Sequence, residues 1–238
     1  MAQQLHIGEG QDTALLRSVA AQLKVPLTII SRQTELLSLQ QQSTEATDAI
    51  HTHAIAALTL VDTYLLGLQL LEQSHLQLEP VSVSSVLVDV AHTLDGFAKR
   101  YNVELDLAIA GRYGPVMAHP QALYSALSAL GFSFIEALGA QPQKTKRILQ
   151  LAVYKKRGKI ITGAYSAAPL SVGDWQKAKQ LYGRAKQPLN NLAGTNGAGM
   201  FVADALGQAM HANVQVSHYA RRVGLAMTLL PSKQLQLI

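Results

Sequence analysis

Two segments near the start of the chain carry apolar residues at helical spacing. In the first, Leu16, Leu23, Ile30 and Leu37 recur every seven residues, which predicts a long helix from about Gln11 to Gln41. In the second, apolar residues alternate between four-residue and three-residue steps, at Ile50, Ala54, Ala57, Val61, Tyr64, Leu68 and Leu71. This spacing is typical of the apolar seam of a coiled coil or helical bundle.

A short polar stretch, QQQSTEAT, separates the two segments. Ser43 or Thr44 is suited to cap the second helix, and Glu45 and Asp48 place acidic side chains in its first turn. Two helices joined in this way form an antiparallel hairpin, whose uncovered apolar surface favours pairing with a second copy into a four-helix bundle. The predicted dimer seam comprises Leu23, Ile30, Leu37, Ile50, Ala54, Ala57, Val61, Tyr64 and Leu68. From the spacing alone, the core of a generic helical hairpin is the simpler interpretation.

After residue 78 the pattern changes to short strands interspersed with helices. A short strand and a helix are predicted for VSVSSVLVDVAHTLDGFAKRYN, with Val86, Val90, Leu94 and Phe97 on one face of the helix. VELDLAIAG alternates like a strand, and HPQALYSALSALGFSFIEAL is an apolar helix interrupted by Gly131.

The last hundred residues begin with two strands, KRILQLAVYKKRGKIITGAYS, that turn near Arg157 and Gly158. A basic helix or loop (DWQKAKQLYGRAK), a glycine-rich loop, a helix (FVADALGQAMHA) and two closing strands follow. This order predicts an α+β protein with helices on one face of a mixed sheet. The predicted domains are a helical hairpin over residues 1–78 and an α/β sandwich over residues 79–238.

Charge is distributed unevenly along the 238 residues. Residues 1–138 contain six Lys or Arg against thirteen Asp or Glu, whereas residues 139–238 contain fourteen Lys or Arg against two Asp. A basic half of this kind attracts nucleic acid or an acidic protein. The predicted basic partner surface comprises Lys155, Lys156, Arg157, Lys159, Arg221 and Arg222.

Several classes of protein are disfavoured by the composition. The absence of cysteine excludes disulfides and cysteine-based zinc sites, and the histidines show no metal-ligand spacing. No apolar run approaches the ~18 residues that a membrane span needs, and the first residues do not resemble a secretory signal. The expectation is a soluble, cytoplasmic protein without a membrane span.

Four stretches carry more specific patterns: AQLKVPL (21–27), LEPVSVSSVLVDV (78–90), PVMAHPQALYSALSAL (115–130) and TNGAGMFVADAL (195–206). In this order they resemble the transmitter region of a bacterial sensor histidine kinase, a dimerisation hairpin followed by a GHKL-type ATP-binding domain. The first stretch is similar to the family's His-Glu-Leu-Arg-Thr-Pro-Leu pattern, with Pro26 at the family's kink. The third is similar to the stretch leading into the N box, and the fourth to the last glycine box.

The departures from the family fall on its chemistry. Ala21 stands at the phosphoacceptor position, and Gln22 replaces the acid beside it. Ala129 and Ser133 stand where the N box has asparagines, the second of which holds Mg²⁺ in the family. Where the family has Asp-x-Gly-x-Gly, ITGAYSAAP offers only one glycine and no carboxylate. The resemblance therefore implies no catalytic residue and a vestigial nucleotide pocket at Ser133, Gly163, Gly194, Gly197 and Gly199.

Phosphoryl transfer depends on positioning and on metal-assisted charge neutralisation, so these losses favour a catalytically degenerate, pseudokinase-like protein without a cofactor. The leading hypothesis is a homodimeric signalling adaptor that binds an acidic protein, such as a response regulator or an active kinase. One alternative is an ATP- and Mg²⁺-binding sensor histidine kinase with altered motifs. Another is a basic regulator that binds nucleic acid.

Overall fold

The structure, a computed structural model, describes residues 23–24, 27–40, 44–72, 77–140, 146–181 and 198–232. Contacts between residues divide the chain into two compact units, Met1–Ser74 and His75–Ile238. The assignment of domains at 1–78 and 79–238 stays a prediction.

The first unit contains an antiparallel pair of helices, α1 (residues 27–39) and α2 (Glu45–Glu72). Polar contacts fix their alignment: Lys24 Nζ lies 2.6 Å from Asp62 Oδ1, and Ser38 Oγ donates to Asp48 Oδ1 over 3.4 Å. Thr44 Oγ1 accepts a hydrogen bond from the backbone N–H of Thr47 at the start of α2. The predicted hairpin is confirmed, and of the two predicted capping residues Thr44 makes this bond.

The second unit is an α/β sandwich. Its elements, in chain order, are β1 (Glu79–Val81), α3 (Val83–Arg100), β2 (Glu104–Ile109), β3 (Val116–Ala118), α4 (Pro120–Gly139), β4 (Ile148–Lys156), β5 (Lys159–Ser166), α5 (Val172–Leu181), α6 (Ala198–Ala209), β6 (Val214–Tyr219) and β7 (Arg222–Leu229). Five strands form one sheet in the order β2-β4-β5-β7-β6, in which β2 and β4 are parallel and the other neighbours antiparallel. The predicted mixed sheet is confirmed. The short β1–β3 pair was not predicted.

Helix α3 forms where the sequence predicts it. Ser82 caps its start by accepting a hydrogen bond from the backbone N–H of Ser85. The buried stripe contains Leu87 where Val86 had been expected, and Val86 is only half-buried. The predicted face of the helix was therefore displaced by one residue at its first turn.

Helix α4 passes through Gly131 without a break, so the predicted interruption is wrong. A Cβ atom at Gly131 would lie 2.2 Å from Leu94 Cδ1, so the glycine allows α3 and α4 to approach closely. Among the described residues, α4 is the one helix long and apolar enough to cross a membrane. However, 78% of its most apolar 18-residue stretch is buried within the unit, as is typical of a core helix.

Candidate functional site

Two of the positions that the sequence resemblance assigns to nucleotide and metal binding lie where α4 meets α6. Ala129 and Ser133, one turn apart on α4, are buried, and Ser133 is only 3% exposed. A Cβ atom at Gly199, in the first turn of α6, would lie 2.5 Å from Ser133 Oγ and 2.6 Å from the backbone oxygen of Ala129. The two helices therefore touch through their backbones, and this contact covers Ser133.

The described residues at this contact do not suit a Mg²⁺-bound nucleotide. Mg²⁺ favours carboxylate and phosphate oxygens in an open octahedral site, whereas Ala129 has no ligand atom and the Ser133 hydroxyl lies against Gly199. In the described ranges, no group of three His, Asp or Glu side chains is arranged to hold a metal ion. The residues predicted at Ala21, Gly194 and Gly197 lie outside the described residues.

Gly163 is not part of this contact. It lies in the middle of β5, paired with Ala152 on β4 and with Ala226 on β7. A Cβ atom there would lie 2.2 Å from the backbone oxygen of Leu225, so the glycine permits close strand packing. Of the three described residues of the predicted vestigial pocket, the structure thus brings together only Ser133 and Gly199.

A second polar cluster joins α5 to α6. The carboxylate of Asp204 is only 7% exposed, and Lys179 Nζ approaches its two oxygens to 3.2 and 3.1 Å. Gln208 Nε2 donates to the same carboxylate over 2.9 Å. Trp175 stacks on Phe201 at 5.5 Å, and Lys179 also lies 5.3 Å from the Trp175 ring. No pattern in the sequence predicts this cluster, because only tertiary packing pairs the two helices.

Replacing Lys179 with methionine is expected to lower the free energy of unfolding by about 1 kcal/mol. Among the described residues, the change leaves the buried carboxylate with one neutral donor, Gln208. Lys179 itself is about one-third exposed, so solvent already weakens the pair. Urea denaturation measures the loss. The double variant Lys179→Met with Asp204→Leu should recover part of it, and no recovery would contradict an ionic role for the pair.

Comparison with known proteins supports one fold. No protein family profile and no curated protein matches the chain. Among solved structures, full-length ShkA in complex with AMPPNP matches with a TM-score of 0.56 and 16% identity over 91% of this chain. The chain spans 45% of the length of ShkA. Histidine kinase ThkA, in complex with the response regulator protein TrrA, matches with a TM-score of 0.54 and 14% identity, covering 94% of this chain and 62% of ThkA.

The histidine kinase AdeS of Acinetobacter baumannii matches with a TM-score of 0.50 and 13% identity, covering 88% of this chain and 96% of AdeS. That match runs through both the helical hairpin and the sandwich. The chain has the fold of a histidine kinase transmitter region. The resemblance seen in the sequence is thereby confirmed at the level of fold.

In this transmitter fold the predicted dimer seam divides into exposed and covered positions. Leu23, Ile30 and Ile50 are 52%, 39% and 49% exposed, whereas Ala54 is buried inside the hairpin. Leu37, Ala57 and Val61 are half-buried, and the side chains of Tyr64 and Leu68 lie outside the described residues. Part of the predicted seam therefore forms the hairpin's own core, and part remains available for a second copy.

One hairpin histidine has a role that the sequence analysis missed. Nδ1 of His51 on α2 lies 3.0 Å from Thr34 Oγ1 and 3.1 Å from the backbone oxygen of Ser31, both on α1. Ser31 and Thr34 are buried. His51 itself is half-buried and forms a polar link across the hairpin. The available signal was Thr34, a polar residue midway between the apolar seam positions.

The six cations predicted to form one basic partner surface lie in two separate clusters. Lys155, Lys156, Arg157 and Lys159 surround the β4–β5 turn, whereas Arg221 lies in the β6–β7 turn and Arg222 begins β7. Because Ile160 pairs with Leu229 while Ser166 pairs with Val223, the two turns lie at opposite ends of the sheet. The length of β5, eight residues, separates them by roughly 25 Å.

Proposed function

We propose that the chain is a catalytically degenerate, histidine-kinase-like signalling adaptor that acts through protein–protein contacts. The observation that carries this proposal is the contact of α4 with α6. In a transmitter fold, Ala129 and Ser133 occupy the N-box positions, and Gly199 lies directly against them. In addition, Ala21 stands at the phosphoacceptor position, so the nucleophilic histidine of the family is missing there. Together these features leave the N-box positions and the phosphoacceptor position without groups for phosphoryl transfer.

The adaptor works as a homodimer built on the helical hairpin. Leu23, Ile30 and Ile50 expose apolar area on one hairpin, and burying such area against a second copy is favourable by about 25 cal/mol per Å². The alternating four- and three-residue spacing along α2 suits a four-helix bundle. This interpretation explains why the hairpin, which has a polar link at His51 between its helices, keeps apolar residues exposed on its surface.

Its partner in a two-component-type pathway is an acidic protein, a response regulator or an active kinase. ThkA was solved in complex with the response regulator protein TrrA, so one protein of this fold binds a partner of that class. The exposed cations at the β4–β5 turn supply the complementary charge here. We place the protein in the cytoplasm, where such partners occur.

Mg²⁺·ATP at millimolar concentration is expected to leave the melting temperature of the protein unchanged. A ligand that binds only the folded state stabilises it by RT ln(1 + [L]/Kd). The melting temperature therefore does not rise when the pocket residues do not bind Mg²⁺·ATP. Differential scanning fluorimetry measures this, with an active histidine kinase transmitter as positive control. A saturable, Mg²⁺-dependent rise in melting temperature would favour the alternative, an ATP-binding kinase with altered motifs.

A further inference from the structure

Two hairpin turns of the sheet place arginine in the left-handed backbone region. In the β4–β5 turn, Arg157 has a φ of 50° and Gly158 a φ of 78°, and in the β6–β7 turn Ala220 and Arg221 have φ values of 45° and 64°. Two-residue turns of this type favour Asn and Gly, because a positive φ costs other L-residues roughly 1–2 kcal/mol. Strain retained at an exposed residue points to a role for its side chain.

Between these turns lies a face of the sheet covered by tyrosines, here called the tyrosine face and defined by Tyr154, Tyr165 and Tyr219. The rings of Tyr154 and Tyr219 stack 5.0 Å apart with an interplanar angle of 25°, and both side chains are half-buried. Tyr165 is fully buried beneath them, 5.7 Å from Tyr219. Burial and the neighbouring Tyr154 raise the pKa of the Tyr165 hydroxyl, which therefore stays neutral.

The tyrosine face is built from strand residues alone. Its buried cluster contains Ala152, Tyr165 and Ala226, with Tyr154 and Tyr219 packed against it. Small residues next to the rings, including Gly163 in register with Ala152 and Ala226, leave room for the aromatic rings to lie across the strands. The Tyr154 hydroxyl and Ser217 Oγ, 2.8 Å apart, hold the Tyr154 ring in place.

The charge of this face is positive. Of the described acidic residues, Glu104 and Asp106 lie on edge strand β2 in the register that shares this face. Each is paired with a cation, Glu104 with Lys146 at 2.5 Å and Asp106 with Arg222 at 3.6 Å. Around Arg157, the side chains of Lys155, Lys156 and Lys159 are exposed and no ion pair links them to a described acid.

We propose that the tyrosine face binds single-stranded nucleic acid. Unpaired bases stack on the accessible edges and faces of the half-buried Tyr154 and Tyr219 rings. The phosphates on either side contact the cations of the two turns, Arg157 at one end and Arg221 at the other. Aromatic stacking suits any base and requires it to be unpaired, whereas an acidic protein would be held by the cations without using the rings. Binding is therefore largely independent of sequence and sensitive to salt.

Fluorescence anisotropy of a labelled single-stranded DNA of about 12 nucleotides tests the proposal with the 238-residue protein. The double variant Arg157→Asn with Arg221→Asn removes both cations from the turns. Because Asn suits a positive φ, the variant should fold at least as stably as the original protein. We expect at least tenfold weaker binding, and the slope of log Kd against log salt should fall by about 1.4, from two lost phosphate contacts.

The matched control is Lys99→Asn with Lys177→Asn, which removes two exposed charges from helices α3 and α5 and not from the sheet. It should bind within about twofold of the original protein. An equal loss in the control variant, or no binding at about 50 mM salt, would overturn the proposal. Tighter binding of polyglutamate than of the DNA at equal charge would also overturn it, in favour of an acidic protein as the ligand of this face.

The aromatic contribution is tested at Tyr219. Tyr219→Phe keeps the ring face and should bind like the original protein, whereas Tyr219→Leu keeps only apolar bulk and should bind at least fivefold more weakly. Circular dichroism melting checks that both variants fold. Equal affinity of the two variants, or equal binding of double-stranded DNA of the same length, contradicts base stacking on this face.

Discussion

Replacement of Ile30 by aspartate is expected to convert the proposed homodimer to monomers, weakening association by at least about a hundredfold. Ile30 is exposed on one hairpin, at a predicted seam position. In a dimer the new carboxylate would be buried without a partner, at a cost of several kcal/mol. Light scattering after size-exclusion chromatography should give twice the 25.6 kDa of one chain for the original protein and 25.6 kDa for the variant.

Ile50→Asp on α2 should have the same effect as Ile30→Asp, since both residues are exposed and predicted in the seam. Arg32→Asp is the control: it introduces the same carboxylate on α1, at an exposed position on the opposite side of the helix from Ile30. This variant should remain dimeric. A monomeric original protein, or loss of the dimer in all three variants alike, would contradict the seam.

Adding one methyl group at Gly199 is expected to destabilise the protein by about 2 kcal/mol, which lowers its melting temperature by roughly 4–8 °C. The new Cβ would lie 2.5 Å from Ser133 Oγ and 2.6 Å from the backbone oxygen of Ala129, and a backbone oxygen cannot rotate away. Helices α4 and α6 would have to separate. The loss exceeds the roughly 1 kcal/mol that alanine gains over glycine in a helix.

Gly96→Ala is the matched control for Gly199→Ala. Gly96 is exposed on α3, and a Cβ atom there meets no atom within 4 Å. The same substitution should therefore stabilise the protein by about 1 kcal/mol. Chemical denaturation of both variants gives the comparison. If Gly199→Ala were as stable as the original protein, the direct contact of α4 with α6 that covers Ser133 would be wrong.

Local patterns were sufficient to predict most of the elements. The seven-residue repeat predicted the hairpin, and Arg157–Gly158 predicted the β4–β5 turn, because both signals lie within a few residues of the structure they specify. Gly131 was read as a local interruption of α4, yet its role is a contact with Leu94, 37 positions earlier in the chain. The structural role of a glycine cannot be predicted from the neighbouring sequence when the close contact is made by another element.

The candidate site was predicted less completely than the fold, because it depends on how strands and helices pair. The sequence resemblance placed Ser133 and Gly199 in one pocket, but it did not predict that they are in direct contact. It treated Lys155 and Arg221 as one surface, whereas the antiparallel pairing of β5 with β7 sends their turns to opposite ends. The stacking of Tyr154 on Tyr219 joins residues far apart in the sequence, so spacing offered no signal for the tyrosine face.

The most direct test of the account is incubation of the purified protein with Mg²⁺ and γ-labelled ATP, followed by electrophoresis under alkaline conditions that preserve phosphohistidine. A transmitter fold with Ala21, Ala129 and Ser133 at its reactive positions should take up no label above background. An active histidine kinase in the same assay verifies the conditions. Stoichiometric label on any histidine of this chain would contradict the account.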